Sequence, residues 1–151
     1  MQEGKRVKQQ SNYGRRADGT PLAGDDLLAA LRDVTGDTVL LSFSRGKDSL
    51  AAWLHLREHF RVIPYHLEWI PGLSFVESSL AYYEEVFQTH IVRLPHPLFY
   101  QYLRDYAWQT PDQGVAIMRL DLPKYDLADV DNLLCQQHAT PTTYTAIGMR
   151  Y

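Results

Sequence analysis

The chain has 151 residues, 45% of them hydrophobic, and a net charge of −3 at neutral pH. That length predicts one domain able to bury a core, and no run approaches the 18 or more apolar residues of a membrane span. The opening Met-Gln-Glu-Gly-Lys-Arg lacks a secretory apolar stretch, and the lone Cys135 has no partner for an internal disulfide, so a cytoplasmic setting is expected.

Charge is unevenly spread. Within residues 1–20, Lys5, Arg6, Lys8, Arg15 and Arg16 are opposed only by Glu3 and Asp18, so this stretch is +3 and the remainder −6. Poor in apolar side chains, it reads as a flexible basic tail before a domain at 21–151. Such a tail suits contact with nucleic acid or an acidic protein; a frayed, solubilising terminus has the same composition. The acidic body argues against a dedicated duplex-DNA binder, which needs a basic face against phosphates.

Along the chain, Asp25–Val34 predicts a short helix, with acids at its start and Gly36 past its end. Thr38–Phe43 is an apolar run suited to a buried parallel strand. Asp48–Phe60 predicts a helix with Leu50, Trp53, Leu54 and Leu56 inward, and Val62–Trp69 a second strand. Pro71-Gly72 marks a turn. Leu73–Gln88 predicts a helix whose Val76, Leu80, Tyr83 and Phe87 share one face. Ile91–Leu94 reads as a third strand, and Leu98–Trp108, after Pro95-His96-Pro97, as a helix. Residues 109–126 show only turn-like sites, at Thr110-Pro111-Asp112, Gln113-Gly114 and Leu122-Pro123. Leu127–His138 predicts a last helix and Thr143–Ile147 a fourth strand. This alternation implies an α/β fold with a mainly parallel sheet, helices on both faces and ligands at the carboxyl strand ends.

The sharpest feature is Leu40-Leu41-Ser42-Phe43-Ser44-Arg45-Gly46-Lys47-Asp48-Ser49-Leu50. An apolar strand enters a short polar loop and then a helix, aiming backbone N–H groups and the positive helix end at one point. Gly46 admits close backbone approach. Ser44 and Ser49 offer hydroxyls, Lys47 a mobile charge, and Arg45 a planar fork suited to phosphate. A helix merely capped by Ser44 or Asp48 is the plainer alternative. The segment is not a Walker A loop, because Leu41 stands where the first glycine should be and Asp48 follows the lysine.

Ser44-Arg45-Gly46-Lys47-Asp48-Ser49 resembles the PP-loop, Ser-Gly-Gly-x-Asp-Ser, of the adenine nucleotide alpha-hydrolase-like superfamily. Ser44, Gly46, Asp48 and Ser49 match, and Arg45 replaces the first glycine. The longer stretch through Ala52 looks most like phosphoadenylyl sulfate (PAPS) reductase-family domains, including phage-encoded relatives. Ala146-Ile147-Gly148-Met149-Arg150 looks like the start of that family's late Gly-x-Arg segment. The resemblance implies a three-layer α/β/α, Rossmann-like fold. It implies ATP or PAPS held at Ser44, Arg45, Gly46, Lys47, Asp48 and Ser49, with Asp48 either at the helix cap or on a magnesium ion. Gly148 and Arg150 would reach the phosphate or sulfate, and the adenine would lie near Phe43 and His66-Leu67-Glu68.

Other candidates carry two readings each. His66 and Glu68 share a strand face but lack a third metal ligand, which favours an ordinary polar strand end. His96, between two prolines, is either a substrate contact or part of a rigid loop. Arg150 is either an anion ligand or a solvated terminal side chain. The tyrosines at 82, 83, 100, 102 and 106 suit packing better than base stacking. Cys135 has no cationic neighbour beyond His138 and does not read as a nucleophile.

Three functions follow. The first is sulfonucleotide reduction, whose relatives use a cysteine in a C-terminal segment; the chain stops just after Arg150, so the domain reads as C-terminally incomplete under that hypothesis. The second is ATP pyrophosphatase or adenylyl transfer, including sulfur transfer to nucleic acid, with Lys47, loop amides and magnesium stabilising charge. The third is a non-catalytic nucleotide-binding or interaction module.

Overall fold

The structure, a computed structural model, describes residues 15–138 and 145–147. The chain runs α1 (Gly24–Thr35), β1 (Thr38–Ser42), α2 (Lys47–Leu56), β2 (Arg61–Glu68), α3 (Ser74–Phe87) and β3 (Val92–Pro95). It continues with α4 (Pro97–Arg104), α5 (Pro111–Met118), α6 (Leu127–His138) and β4 (Thr145–Ile147). The strands form one open sheet in the order β3-β2-β1-β4, every neighbouring pair parallel. The protein is therefore a mixed α/β fold with a parallel sheet. No helix among the described residues is long and apolar enough to cross a membrane.

Topology explains where the helices sit. The connections β1–α2–β2 and β2–α3–β3 step the same way across the sheet, so right-handed crossovers put α2 and α3 on one face. There Trp53, Val76, Leu80 and Phe87 pack on Leu41, Phe43 and Ile91. The chain later returns to the far side of β1 to form β4, and α6 covers the opposite face through Val130 and Leu134 against Leu40, Ile63 and Tyr65. Adjacent residues of β1 thus serve opposite cores, as the two-residue strand period requires. Pro64 sits inside β2 without harm, since the ladder to β3 begins one residue later, at Tyr65 opposite Val92.

Several boundaries differ from expectation. Helix α2 ends at Leu56 rather than Phe60 and continues only as turns. Leu54 is 48% exposed, not inward. The buried stripe runs through Ser49, Leu50, Trp53 and Leu56, and Leu54 falls just past its edge. Helix α4 stops at Arg104, and Tyr106 and Trp108, placed in that helix by pattern, take left-handed φ of 62° and 61°. Residues 111–118, expected only as turns, form α5. Its start is a capping box in which the Thr110 side chain accepts from Gln113 N–H and Gln113 reciprocates to the Thr110 N–H. Pro111 at its first position completes that start signal.

A charged network ties α3 to β3. Arg93 makes a forked pair with Glu84 at 3.0 and 3.2 Å, a further bond to Glu77 at 3.1 Å and another to the Ile91 carbonyl. Glu84 also accepts from the Ile91 N–H at 2.8 Å. Hydrogen bonds from Arg93 outweigh partial burial, which acts in the opposite direction, and lower the Glu84 pKa from 4.5 to about 2. Because the folded pKa is depressed, this stabilisation is full above the unfolded value and is lost as pH falls from 4.5 through about 2. Glu84→Gln should cost roughly 1–2 kcal/mol at pH 7 and flatten the acid limb of the stability curve, as followed by urea melts from pH 7 to 2. An unchanged acid limb would show that the pairing is too well solvated to matter.

Candidate functional site

The segment leaving β1 keeps to the sheet for one more residue, as the Phe43 N–H bonds the Tyr65 carbonyl at 2.8 Å. The chain then turns sharply. Arg45 has φ of 65°, a left-handed conformation that suits glycine better than any side chain. Gly46 is extended at φ −79°, ψ 160°, and forms the N-cap of α2 without a side-chain capping bond. Neither Ser44 nor Asp48 caps this helix; Asp48 lies within the first turn.

A small hydrogen-bonded ring fixes the loop. Ser49 Oγ donates to the Gly46 carbonyl at 2.9 Å. With that proton committed, Ser44 Oγ is the donor in the 3.1 Å contact with Ser49 Oγ, and it accepts from the Gly46 N–H at 3.3 Å. Ser49, expected to offer its hydroxyl to a ligand, is buried here and its hydroxyl braces the loop. A Cβ at Gly46 would lie 3.3 Å from Ser44 Oγ, a tight contact that the hydroxyl must yield to by a few tenths of an ångström, so the local pressure for glycine comes from that hydroxyl rather than from backbone angle. Lys47 is exposed at the first position of α2.

Beside the loop, at the carboxyl ends of β1, β2 and β3, lies a cleft of about 450 Å³. Ser44, Arg45, His66, Glu68 and His96 all line it, with Trp69, Ile70 and Phe75 as apolar walls. The structure thus brings together residues that lie far apart in sequence. The Arg45 guanidinium sits 5.9 Å from the centre of the Phe75 ring. Its Nε is buried with no hydrogen-bond partner, an arrangement that leaves a strong donor at the cleft unsatisfied.

Phe43, expected near the adenine, borders the cleft but turns its side chain into the core. Its side chain is 1% exposed and packs edge-on against Trp53 and Tyr83, with ring centres 4.9 and 5.1 Å away. An apolar side chain directly after β1 goes to the core, which sequence position alone does not distinguish from the ligand side. Its carbonyl instead bonds His66 Nδ1 at 2.8 Å. A carbonyl only accepts, so Nδ1 carries the proton and Nε2 of His66 is the acceptor. Burial, opposed by that bond and assisted by the nearby Arg45 charge, lowers the His66 pKa and keeps the ring neutral. In His96 the roles reverse: Nδ1 accepts from the Leu98 N–H at 3.1 Å and caps α4, placing the neutral ring's proton on Nε2. Burial also lowers its pKa. His96 stacks on Trp69 with ring centres 4.4 Å apart, so it is both a rigid cap and a wall of the cleft.

Glu68, expected near the adenine or as an ordinary polar strand end, lines the cleft. Burial, then a hydrogen bond with Glu77, raises its pKa. The cleft floor therefore joins one guanidinium, two neutral imidazoles and a carboxyl that holds its proton more tightly than usual. Trp69, Ile70 and Phe75 were not singled out from sequence, although three large apolar residues around the Pro71-Gly72 turn were a usable signal. Comparison with family models, curated proteins and solved structures returned no match.

Gly148 and Arg150, expected at the anion, lie outside the described residues, as do Lys5, Arg6 and Lys8 of the basic stretch. Arg15 donates to the Gly19 carbonyl at 2.8 Å, and Arg16 pairs with Asp26, so these two cations have partners within the chain. Cys135 lies on α6 beside the core of the opposite sheet face and does not line the cleft.

Proposed function

We propose that this chain is a PP-loop domain of PAPS reductase-like type, with a three-layer Rossmann-like architecture, that binds ATP or PAPS in the cleft beside Ser44–Ser49. The observation that carries this reading is the placement of the loop. It leaves β1 and enters α2 where the strand order reverses between β2 and β4, the position at which open parallel sheets bind ligands. The anion is taken by the positive end of α2, the exposed Lys47 and the guanidinium of Arg45, whose Nε has no hydrogen-bond partner. Ser44 and Ser49 hold the loop in shape. Arg45 occupies a left-handed position that the family pattern fills with glycine, so here one residue supplies both the turn and a phosphate-binding fork.

The cleft volume of about 450 Å³ suits part of a nucleotide. Its apolar walls, Trp69, Ile70 and Phe75, favour a flat ring system, and the His66 acceptor offers it a polar contact. Asp48, in the first turn of α2, would hold magnesium when the bound nucleotide carries it; the ion supplies neutralisation of phosphate charge. The reaction class favoured is sulfonucleotide reduction or sulfur transfer. ATP pyrophosphatase or adenylyl transfer is the second reading, favoured by Cys135 lying away from the cleft. Incubation with ATP and with PAPS separates them. Release of AMP and pyrophosphate supports the second, thiol-dependent sulfite release supports the first, and binding without turnover assigns a nucleotide-binding module.

A further inference from the structure

At the far end of α2 from the phosphate loop, His55, Glu58 and His59 gather their side chains on one side of the chain. The helix proper ends at Leu56, but its path continues in turns. The Arg57 N–H bonds the Trp53 carbonyl at 3.0 Å, and the His59 and Phe60 N–H groups bond the Leu56 carbonyl at 3.0 and 2.8 Å. Residues 55, 58 and 59 therefore keep the i, i+3, i+4 relation that stacks side chains on one helical face. Their ligand atoms all lie within 4.8 Å of one another, the one such group among the described residues. The imidazole rings are 5.3 Å apart and inclined at 65°, edge to face rather than stacked flat.

We propose that His55, Glu58 and His59 form a binding site for a divalent transition-metal ion, zinc foremost. Two imidazoles and a carboxylate are the donor set of open tetrahedral zinc sites, with water in the fourth position. Metal–ligand bonds of about 2.0–2.1 Å place ligand atoms roughly 3.3 Å apart, so ligand atoms 4.8 Å apart or less on two exposed side chains and the half-buried His59 need only small rotations to close. Imidazole donors select zinc, nickel or copper over magnesium and calcium. The backbone beneath the three ligands is held on both sides. Trp53 anchors the helix before them, and buried Phe60 anchors the chain after them.

The two neighbouring arginines are engaged elsewhere: Arg57 lies over the Phe87 ring. Arg32 of α1 donates to the His59 backbone carbonyl, pairs with Asp37 and lies over the Phe60 ring. That carbonyl bond also means an ion held by His59 would brace the α1–α2 contact. His55 lies eight positions beyond Lys47, about 12 Å along the axis, so this site is separate from the cleft.

The test is calorimetric titration of the full chain with zinc chloride, nickel chloride and magnesium chloride. Wild type should bind one zinc per chain and bind nickel, and should ignore magnesium. The double variant His55→Ala, His59→Ala should weaken zinc binding by at least about tenfold, with circular dichroism confirming its fold; both positions are at the surface or partly so. Zinc should raise the thermal midpoint of wild type and not of the double variant. On wild type alone, zinc should shift the imidazole resonances of His55 and His59 before those of His66, His90 or His96. Absence of zinc binding, equal affinity in the double variant, or first shifts at the other histidines would overturn the proposal.

Discussion

Replacing Trp53 with alanine should destabilise the protein by about 3–5 kcal/mol, the largest single effect expected outside the backbone. Trp53 is 2% exposed and forms the centre of an aromatic stack. Its ring lies 4.3 Å from Phe87 at 21°, and 4.9 Å from Phe43 edge-on. Truncation removes the contacts of a large ring and leaves a cavity between α2, α3 and the sheet, which the surrounding helices only partly close. A small domain has about 5–15 kcal/mol in all, so the variant should be close to unfolding at 37 °C. Urea melts followed by far-UV circular dichroism measure this without relying on the lost fluorophore. Trp53→Phe should recover more than half of the loss by refilling the cavity. A cost below about 1 kcal/mol would mean that the stack is not the core of this face. Because Phe43 immediately precedes Ser44, loss of Trp53 should also loosen the phosphate loop, and nucleotide affinity should fall along with stability.

The second large effect separates binding from folding. Arg45→Gly removes the guanidinium and installs the residue that a φ of 65° favours. Relief of the left-handed cost, about 1 kcal/mol, is opposed by the greater chain entropy of glycine, about 0.5–1 kcal/mol. Stability should therefore move by less than about 1 kcal/mol. Loss of a charge-assisted bond to phosphate, about 1.5–3 kcal/mol, should weaken ATP or PAPS by roughly 10–100-fold. Arg45→Glu should weaken it further while keeping the backbone cost. Calorimetry for affinity and urea melts for stability check both halves. Undiminished affinity in Arg45→Glu would mean that Arg45 serves only to cover Phe75.

Much of the fold was legible because its signals are local. The apolar run at Thr38–Ser42, the stripe Val76, Leu80, Tyr83 and Phe87, and the Pro71-Gly72 turn each specify an element through period or backbone chemistry. Helix α5 was missed although Thr110-Pro111-Asp112-Gln113 carries both a capping box and a first-position proline. Each of these residues singly signals a turn; only their spacing specifies a helix start. The end of α2 at Leu56 and the outward turn of Leu54 depend on how the helix is rotated against the sheet, which sequence period fixes only to within a residue or so.

The candidate site divides in the same way. The loop at Ser44–Ser49 was readable from strand, loop and helix in succession. The inward Phe43 was not, because an apolar residue at a strand end serves core and ligand equally well in sequence. The inward use of Ser49 depends on a ring of three bonds closed by the Gly46 backbone. The Arg93–Glu84–Glu77 network joins residues on different elements, and no local pattern announces it. His55, Glu58 and His59 stand in i, i+3, i+4 spacing, but in sequence that spacing serves a ligand set and an exposed polar helix face equally well.

The most direct test of the central claim is calorimetric titration of the full chain with ATP and with PAPS, with and without magnesium, on wild type and Gly46→Trp. Any side chain at Gly46 begins with a Cβ 3.3 Å from Ser44 Oγ, and an indole adds bulk at the N-cap where the phosphate is proposed to bind. Saturable binding of one nucleotide per chain, abolished in the folded Gly46→Trp variant, is the result predicted. A folded wild-type chain that binds neither nucleotide, or a variant that binds as well as wild type, would contradict the assignment of this loop to phosphate.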